Sequence, residues 1–317
     1  MSGGIVQFGP AELAQLTGSD AEAASAAFAA LQPPELSYRR LAPAETASII
    51  ADVEETISNR PLRVVGSDDP QVWEKGWAEL AEQLAGRRIT FDALRPQYFH
   101  AGAPCRLFGE LVAQLSPEFE YWVGLCVRYV ILREFLRDRR HVVEFGCGTG
   151  INLLVLTKIA PTARLAGCDW ASASQAILQR MAQQTGCAIE GHRFNMLTAS
   201  GDDGGPIGQG SAILTVHALE QLGPAWRPFL DHVRERGPGL CLHIEPLLEL
   251  YDPCCALDDL NRRYHQKRNY LSGFLPAIKD LAAKGEAEIV AMRRTQFGGL
   301  YHQAYSVLAW RPSVQQG

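Results

Sequence analysis

Nine residues near the middle of the chain constrain it most: Val142-Val143-Glu144-Phe145-Gly146-Cys147-Gly148-Thr149-Gly150. An apolar run ends in a carboxylate and three glycines at alternate positions, and a second apolar segment, 151–159, stops at Pro161. The pattern predicts a buried strand, a tight glycine loop and a helix, the opening unit of a nucleotide-binding α/β sheet. Glycines there take backbone angles other residues resist and let a ligand approach the main chain. A dinucleotide fold requires G-x-G-x-x-G, but after Gly146 and Gly148 the last required position is Ile151.

From residue 140 onward strand and helix patterns alternate regularly, which implies a mostly parallel sheet. Strands are expected at 141–145, 163–168, 188–194, 212–216 and 240–244. Ser172 and Gln175 form an expected capping box for a helix that buries Ile177, Leu178 and Met181 and closes at Gly186. A second helix, 225–235, carries Trp226, Phe229, Leu230 and Val233, and the run 200–210 reads as a surface loop. A helical region at 257–284 is expected to kink near Gly273 or Pro276. Two closing strands, 287–294 and 301–310, are joined through Gly298-Gly299.

The first third is expected to be mostly helical. Residues 20–31 are alanine-rich, and Ile49, Ile50, Val53 and Ile57 recur at helical spacing within 44–58. A short strand is expected at 62–65, and Asp69 before Pro70 caps a helix whose stripe is Trp73, Trp77, Leu80 and Leu84, read as packing. Residues 91–116, with Arg95-Pro96-Gln97-Tyr98-Phe99-His100, read as a long loop, either functional or a surface connection. Ser116-Pro117 starts a helix to about residue 137, with Phe119, Trp122, Val123, Cys126 and Val130 on one face. It leads into the glycine-loop strand, so the expected division is 1–115, an extension, and 116–317, the sheet domain.

A net charge of −5 argues against a protein that coats nucleic acid. The eight cysteines contain no C-x-x-C pair and several lie in apolar runs, so neither zinc nor a disulfide framework is expected, and no metal. No basic-then-apolar secretory segment opens the chain, and the apolar run 121–132 is broken by Arg128 and too short for a bilayer. Cytoplasmic residence is the expectation, with no membrane partner.

The motif E-x-G-x-G-x-G, an acid 19 residues after Gly150, the strand succession and the closing hairpin resemble class I S-adenosylmethionine-dependent methyltransferases over 140–317. The resemblance implies a doubly wound α/β fold, a mostly parallel seven-stranded sheet with its last strand reversed, behind a mostly helical N-terminal extension. It implies S-adenosylmethionine as cofactor, its methionine part on Gly146, Cys147, Gly148 and Gly150 and its ammonium near Glu144. Asp169 would then accept from the ribose hydroxyls and Trp170 cover the adenine. Asn195 and Met196 would meet the adenine edge, with asparagine where the family often has aspartate. His217 falls where the methionine end meets substrate. The plain alternatives are that Asp169 caps a helix and Trp170 packs. Cys147 has no histidine at a recognisable spacing and is not read as a nucleophile.

Val216-His217-Ala218-Leu219-Glu220-Gln221 lacks the D/N-P-P-Y/F of enzymes that methylate amide or nucleobase nitrogens, and is similar to strand ends of small-molecule enzymes. On residues 262–270, His265, Arg268 and Asn269 share one helix face and Arg263 and Lys267 another. With Arg293, Arg294 and His302 they read either as a solvated face or as a pocket wall for an anionic or polyhydroxylated substrate. Tyr98, Arg268 and Asn269 are the substrate candidates. The Arg95 to Phe99 run, Glu245-Pro246 and this basic helix resemble a bacterial subset of the family. The implied reaction is methyl transfer to an oxygen or nitrogen of a polar small molecule, with His217, Glu245 and His265 as base candidates in that order. The alternatives are a non-catalytic cofactor-binding or assembly module and, less favoured, a nicotinamide-dependent oxidoreductase.

Overall fold

The structure, a computed structural model, describes residues 4–66, 70–96, 102–201 and 205–313. The expected cap Asp69 and the loop residues Gln97, Tyr98, Phe99 and His100 lie outside the described residues.

The first third runs β1 (Ile5–Gln7), α1 (Pro10–Thr17), α2 (Ala21–Leu31), β2 (Ser37–Arg40), α3 (Pro43–Asn59), α4 (Pro70–Gln83), β3 (Cys105–Leu107) and β4 (Glu110–Gln114). Its regular structure is mostly helical, as expected, and local chemistry starts it. Pro10 opens α1 with Glu12 reaching back to the Gly9 N–H, and Asp20 caps α2 by accepting from Ala23 N at 2.7 Å. The sequence did not announce the small antiparallel sheet β1-β2-β4-β3. Its strands of three to five residues are too short to show a period of two. The strand expected at 62–65 does not form. Val65 instead donates to Arg268 O and its own carbonyl accepts from Asn269 Nδ2, at 2.9 and 3.1 Å.

The remainder runs α5 (Phe119–Leu136), β5 (His141–Phe145), α6 (Ile151–Ile159), β6 (Arg164–Asp169), α7 (Ser172–Thr185), β7 (Ile189–Asn195), β8 (Ser200–Gly201), β9 (Ala212–Val216), α8 (Arg227–Arg236), β10 (Leu240–Glu245), α9 (Ala256–Arg268), α10 (Phe274–Ala283), β11 (Ala287–Arg294) and β12 (Ser306–Pro312). The sheet order is β11-β12-β10-β9-β5-β6-β7-β8. Neighbours from β7 through β10 pair in parallel, while β12 runs antiparallel between β10 and β11. The strand expected at 301–310 begins at Ser306, and the two-residue β8 adds an eighth, antiparallel strand to the seven expected. Parallel strands covered on both faces read as continuous apolar runs, which explains Val142, Val143 and Phe145, all fully buried. The order reverses at β5, between β6 and β9, where doubly wound sheets bind ligands.

Two helices depart from expectation. Every residue from Tyr121 to Leu132 of α5 is buried, so the helix is apolar all round rather than on one face. It is wedged between α1 and α2 on one side and α6 on the other. Arg128 is accommodated because its Nη1 donates to Asn152 Oδ1 at 2.9 Å and its Nε to the Gly124 carbonyl at 3.2 Å. The 257–284 region is two helices, broken at Asn269 (φ 55°) and restarted at Gly273 (φ 77°), with Pro276 tolerated in the first turn of α10. Among the described residues no helix is long and apolar enough to cross a membrane.

Candidate active site

At the carboxyl end of β5 the glycine loop is tied to its neighbour. Gly146 N donates to Cys168 O at 2.8 Å and Gly148 N to Asp169 Oδ2 at 2.9 Å. Gly146, Gly148 and Gly150 all have positive φ. A Cβ on Gly146 would lie 2.4 Å from Ala218 Cβ, and one on Gly150 would lie 2.4 Å from Leu178 Cδ2. Protein packing therefore demands these two glycines. A Cβ on Gly148 would meet the ring of Trp77 at 3.1 Å, so α4 lies across the loop. The Cys147 thiol is buried and burial pushes its pKa well up, the state of an inert cysteine.

Asp169 is 6% exposed and bridges two loops, accepting from Gly148 N at 2.9 Å and Ala171 N at 3.0 Å. Burial pushes its pKa up to about 6 against these two N–H groups, which favour the charge. The helix-cap reading is thus part of its role. Trp170 beside it is half-buried. The expected capping box is absent, because α7 starts at Ser172. Gln175 instead donates to Asp169 O and His192 O, tying the ends of β6 and β7, while Ser172 donates to Glu74 of α4. Asn195 Oδ1 accepts from Leu197 N at 2.9 Å, and Met196 is buried with its sulfur beside Gly146. Glu144 is fully buried. Its Oε1 accepts from Asn152 Nδ2 at 2.6 Å, its Oε2 has no partner among the described residues, and burial pushes its pKa up to about 8.

The turn after β9 faces this loop through the Ala218 contact. His217 has φ 54°, a left-handed angle uncommon for a non-glycine residue. Glu245 holds the turn: Ala218 N and Leu219 N donate to Oε1 at 3.0 Å each, and Glu220 N to Oε2 at 3.2 Å. Fully buried and engaged on both oxygens, Glu245 shapes the turn that carries His217, a geometry that does not present it to a substrate. The His217 ring stands edge-on to Tyr305 with centroids 4.8 Å apart, and its Nδ1 lies 3.8 Å from Glu220 Oε2. Burial works against the charge on Glu220, but the neighbouring His217 and His302 bring its pKa below the ordinary value.

The candidates on α9 separate. His265 is 1% exposed and its Nε2 lies 3.0 Å from His302 Nδ1. Burial, aided by nearby cations, pushes both imidazoles down, His302 to about 4 and His265 further, so this pair is neutral and His265 meets His302 rather than the strand ends. Asn269 is the left-handed end of α9 and its amide holds the Val65 carbonyl, which removes it from the substrate candidates. Arg268 remains near the site, over the Tyr270 ring at 4.8 Å with Nη1 3.2 Å from the Tyr264 hydroxyl and Nε unpartnered. The other cations are engaged elsewhere. Arg263 pairs with Glu54 of α3, Lys267 donates to Ile57 O and Ser58 O, Arg293 pairs with Glu134, and Arg294 makes a forked pair with Asp258 at 2.7 and 2.8 Å. The expected solvated face, Arg263 and Lys267, is an interface with α3. The expected cationic wall loses Arg263, Lys267, Arg293 and Arg294 to these contacts and keeps Arg268. Tyr98 lies outside the described residues.

Sequence reasoning passed over several residues here. Glu74 accepts from Ser172 N at 2.8 Å, Ser172 Oγ at 2.7 Å and Ala173 N at 3.3 Å, so α4 is latched to the start of α7. Trp73 and Trp77, read as core, are half-buried and stacked 5.6 Å apart, with Trp77 across Gly148. Asn152, two residues beyond Gly150, completes an Arg128–Asn152–Glu144 chain behind the loop. Tyr305, just ahead of β12, meets the His217 ring, and Glu120 of α5 lies within electrostatic reach of it. Glu220, three residues beyond His217, was the one with a local signal.

No protein-family model matches the chain, and no curated protein matches it. Solved structures resemble parts of it. A magnesium protoporphyrin IX methyltransferase from Synechocystis PCC 6803 is 13% identical over 59% of this chain and 80% of its own, with a TM-score of 0.43. An O-methyltransferase from neocarzinostatin biosynthesis is 15% identical over 58% of this chain and 56% of its own, with a TM-score of 0.41. A SAM-dependent methyltransferase from Aquifex aeolicus is 13% identical over 58% of this chain and 89% of its own, also at 0.41. At such identities and TM-scores the likeness carries no function across. The strand order and the residues at the strand ends have to carry it.

Proposed function

We propose that this chain is an S-adenosylmethionine-dependent methyltransferase acting on an oxygen or nitrogen of a polar small molecule. The observation that carries the reading is β12, antiparallel between β10 and β11. The dinucleotide-binding order 3-2-1-4-5-6 has no such reversed strand, and Ile151 also denies that fold its third glycine. The reversed strand is what the resemblance to class I methyltransferases implies.

The residues at the strand ends suit that cofactor. Glu144 Oε2, buried and unpartnered at the end of β5, fits an ammonium donor. Asp169, anchored by Gly148 N and Ala171 N, keeps lone pairs for ribose hydroxyls. Trp170 and Met196 would flank the adenine, and the methionine part would lie along the glycine loop beneath Trp77. The bound cofactor supplies an electrophilic sulfonium methyl whose leaving thioether is neutral. The protein therefore needs alignment and, for a protonated acceptor, a base. His217 takes that role, its imidazole edge-on to Tyr305 with Nδ1 3.8 Å from Glu220 Oε2. Glu245 positions it by holding the next three N–H groups.

The test is calorimetric and needs no substrate. S-adenosylmethionine and S-adenosylhomocysteine should bind and raise the melting temperature, while NAD and NADP should not. Nicotinamide binding without S-adenosyl binding would overturn the reading.

A further inference from the structure

Around His217 the charge is acidic. Glu220 is 7% exposed, and its Oε2 has no hydrogen-bond partner among the described residues, because His217 Nδ1 at 3.8 Å is beyond hydrogen-bond reach. A buried carboxylate oxygen left in this state carries a desolvation penalty that a donor from a ligand would relieve. A second acid, Glu120, comes to the same place from the first turn of α5; burial pushes its pKa up to about 7, and an ammonium beside it would restore its charge. Glu120 is half-buried, lies within electrostatic reach of His217, and faces Gly299, where a Cβ would lie 2.9 Å from its Oε1. Both carboxylates act on Tyr305, whose ring backs His217.

Apart from Arg268, whose Nε has no partner among the described residues, the cations in the neighbourhood are committed elsewhere. Arg128 donates to Asn152 and the Gly124 carbonyl, and Arg106 to the carbonyls of Leu300 and Leu257. Arg294 is forked on Asp258. Arg268 lies on the Tyr270 and Tyr264 rings, with no carboxylate in ion-pair range among the described residues. Glu120 and Glu220 have no arginine or lysine partner among the described residues.

Building on the methyltransferase reading, the geometry points to an amine as the methyl acceptor, received as its ammonium between Glu220 and Glu120 and deprotonated by His217. Tyr305 supplies aromatic surface that suits a cation. The step balances. The ammonium nitrogen gives one proton to the His217 ring nitrogen turned away from Glu220. Its freed lone pair forms the nitrogen–carbon bond as the sulfur–carbon bond breaks, and that bond's pair stays on sulfur. The proton then leaves His217 for solvent. Glu220 stabilises the imidazolium so formed, and both carboxylates reject a carboxylate-bearing acceptor at this position.

The experiment uses the full chain saturated with S-adenosylhomocysteine, its binding measured first. Benzylamine, benzyl alcohol and benzoate, matched in shape and different in charge, are then titrated by ligand-observed NMR. Benzylamine should bind at least tenfold more tightly than the other two. Glu220→Gln and, separately, Glu120→Gln should each weaken it about tenfold while S-adenosylhomocysteine affinity stays unchanged. Preference for benzoate or benzyl alcohol, no binding of benzylamine, or benzylamine binding indifferent to both substitutions overturns the amine inference and leaves the methyltransferase reading standing. No binding of S-adenosylhomocysteine overturns the reading beneath it. Two variants are used because Glu220 shares the Glu245-held turn, whereas Glu120 sits on a separate helix.

Discussion

Two buried acids at neighbouring strand ends, Asp169 and Glu144, respond to burial in ways that differ measurably. Asp169 joins the glycine loop to the start of α7 and is proposed to hold the cofactor ribose. Asp169→Ala should weaken S-adenosylhomocysteine binding by about 1–3 kcal/mol, the cost of stranding hydrogen-bonding groups. An unchanged dissociation constant in the folded variant would reduce Asp169 to a cap. Glu144 carries a pKa raised by burial to about 8 in the folded chain, against an ordinary carboxyl value of 4.5. A folded pKa above the unfolded one gives stability that is complete below the unfolded value and lost as pH rises through the folded one. Between these limits the unfolded chain has released a proton that the folded chain keeps, so stability falls by about 1.4 kcal/mol per pH unit from this group. Glu144→Gln should flatten the decline between pH 4.5 and 8 by that amount and leave the cofactor-free protein more stable at pH 8. Denaturant titrations across that range check this, and an unchanged slope would assign the decline to Glu120, Asp169 or Glu245 instead. The place of the glycine loop after β5 and of Asp169 at the end of β6 was legible from spacing. The contacts of Glu245 were not, because a carboxylate at a strand end looks the same in sequence whether it faces a cleft or holds three backbone N–H groups.

At the scale of elements, the five parallel strands of the main sheet were legible to within a residue or two, because buried parallel strands are short apolar runs bounded by turns. The strands of the small sheet and β8 were not, because two to five residues carry no period. The function of α4 was hidden for another reason. An aromatic stripe at helical spacing looks the same whether it faces a core or a glycine loop, and here Trp77 crosses Gly148. Glu74 latches α4 to α7 through Ser172 and Ala173. Over a glycine loop proposed to hold the cofactor, α4 would act as a cover whose opening limits exchange, with Glu74 as one of its fastenings. Glu74→Ala should therefore raise the dissociation rate of S-adenosylhomocysteine several-fold and increase amide hydrogen exchange at residues 172–174. Stopped-flow tryptophan fluorescence reads the first, since Trp73 and Trp77 both lie on α4. Unchanged rates with faster exchange would mean that the latch is structural and the cover moves with α7.

The whole molecule is organised by α5 more than by the boundary at residue 115 that the order of sequence patterns suggested. An isolated sheet domain beginning at residue 116 would carry this helix on its surface. Its buried circumference includes Phe119, Tyr121, Val123, Val127, Val130 and Leu132, which pack in one continuous core with Leu13, Ala24, Leu31 and Tyr38 of the first third and Leu153, Leu156 and Phe297 of the remainder. Removing residues 1–115 would expose an apolar face far larger than soluble chains leave uncovered. It would also strip the glycine loop of Trp77 and α7 of Glu74. The full chain should accordingly unfold in a single calorimetric transition, with calorimetric and van't Hoff enthalpies equal. The fragment 116–317 should fail to reach a soluble monomeric state and should bind no S-adenosylhomocysteine if recovered by refolding. Two resolved transitions in the full chain, or a soluble fragment with the cofactor affinity of the whole, would make the first third a separate domain, and α4 would then be a cover brought by a partner unit. One transition with an inactive fragment makes residues 1–115 half of the core that holds the strand ends in place.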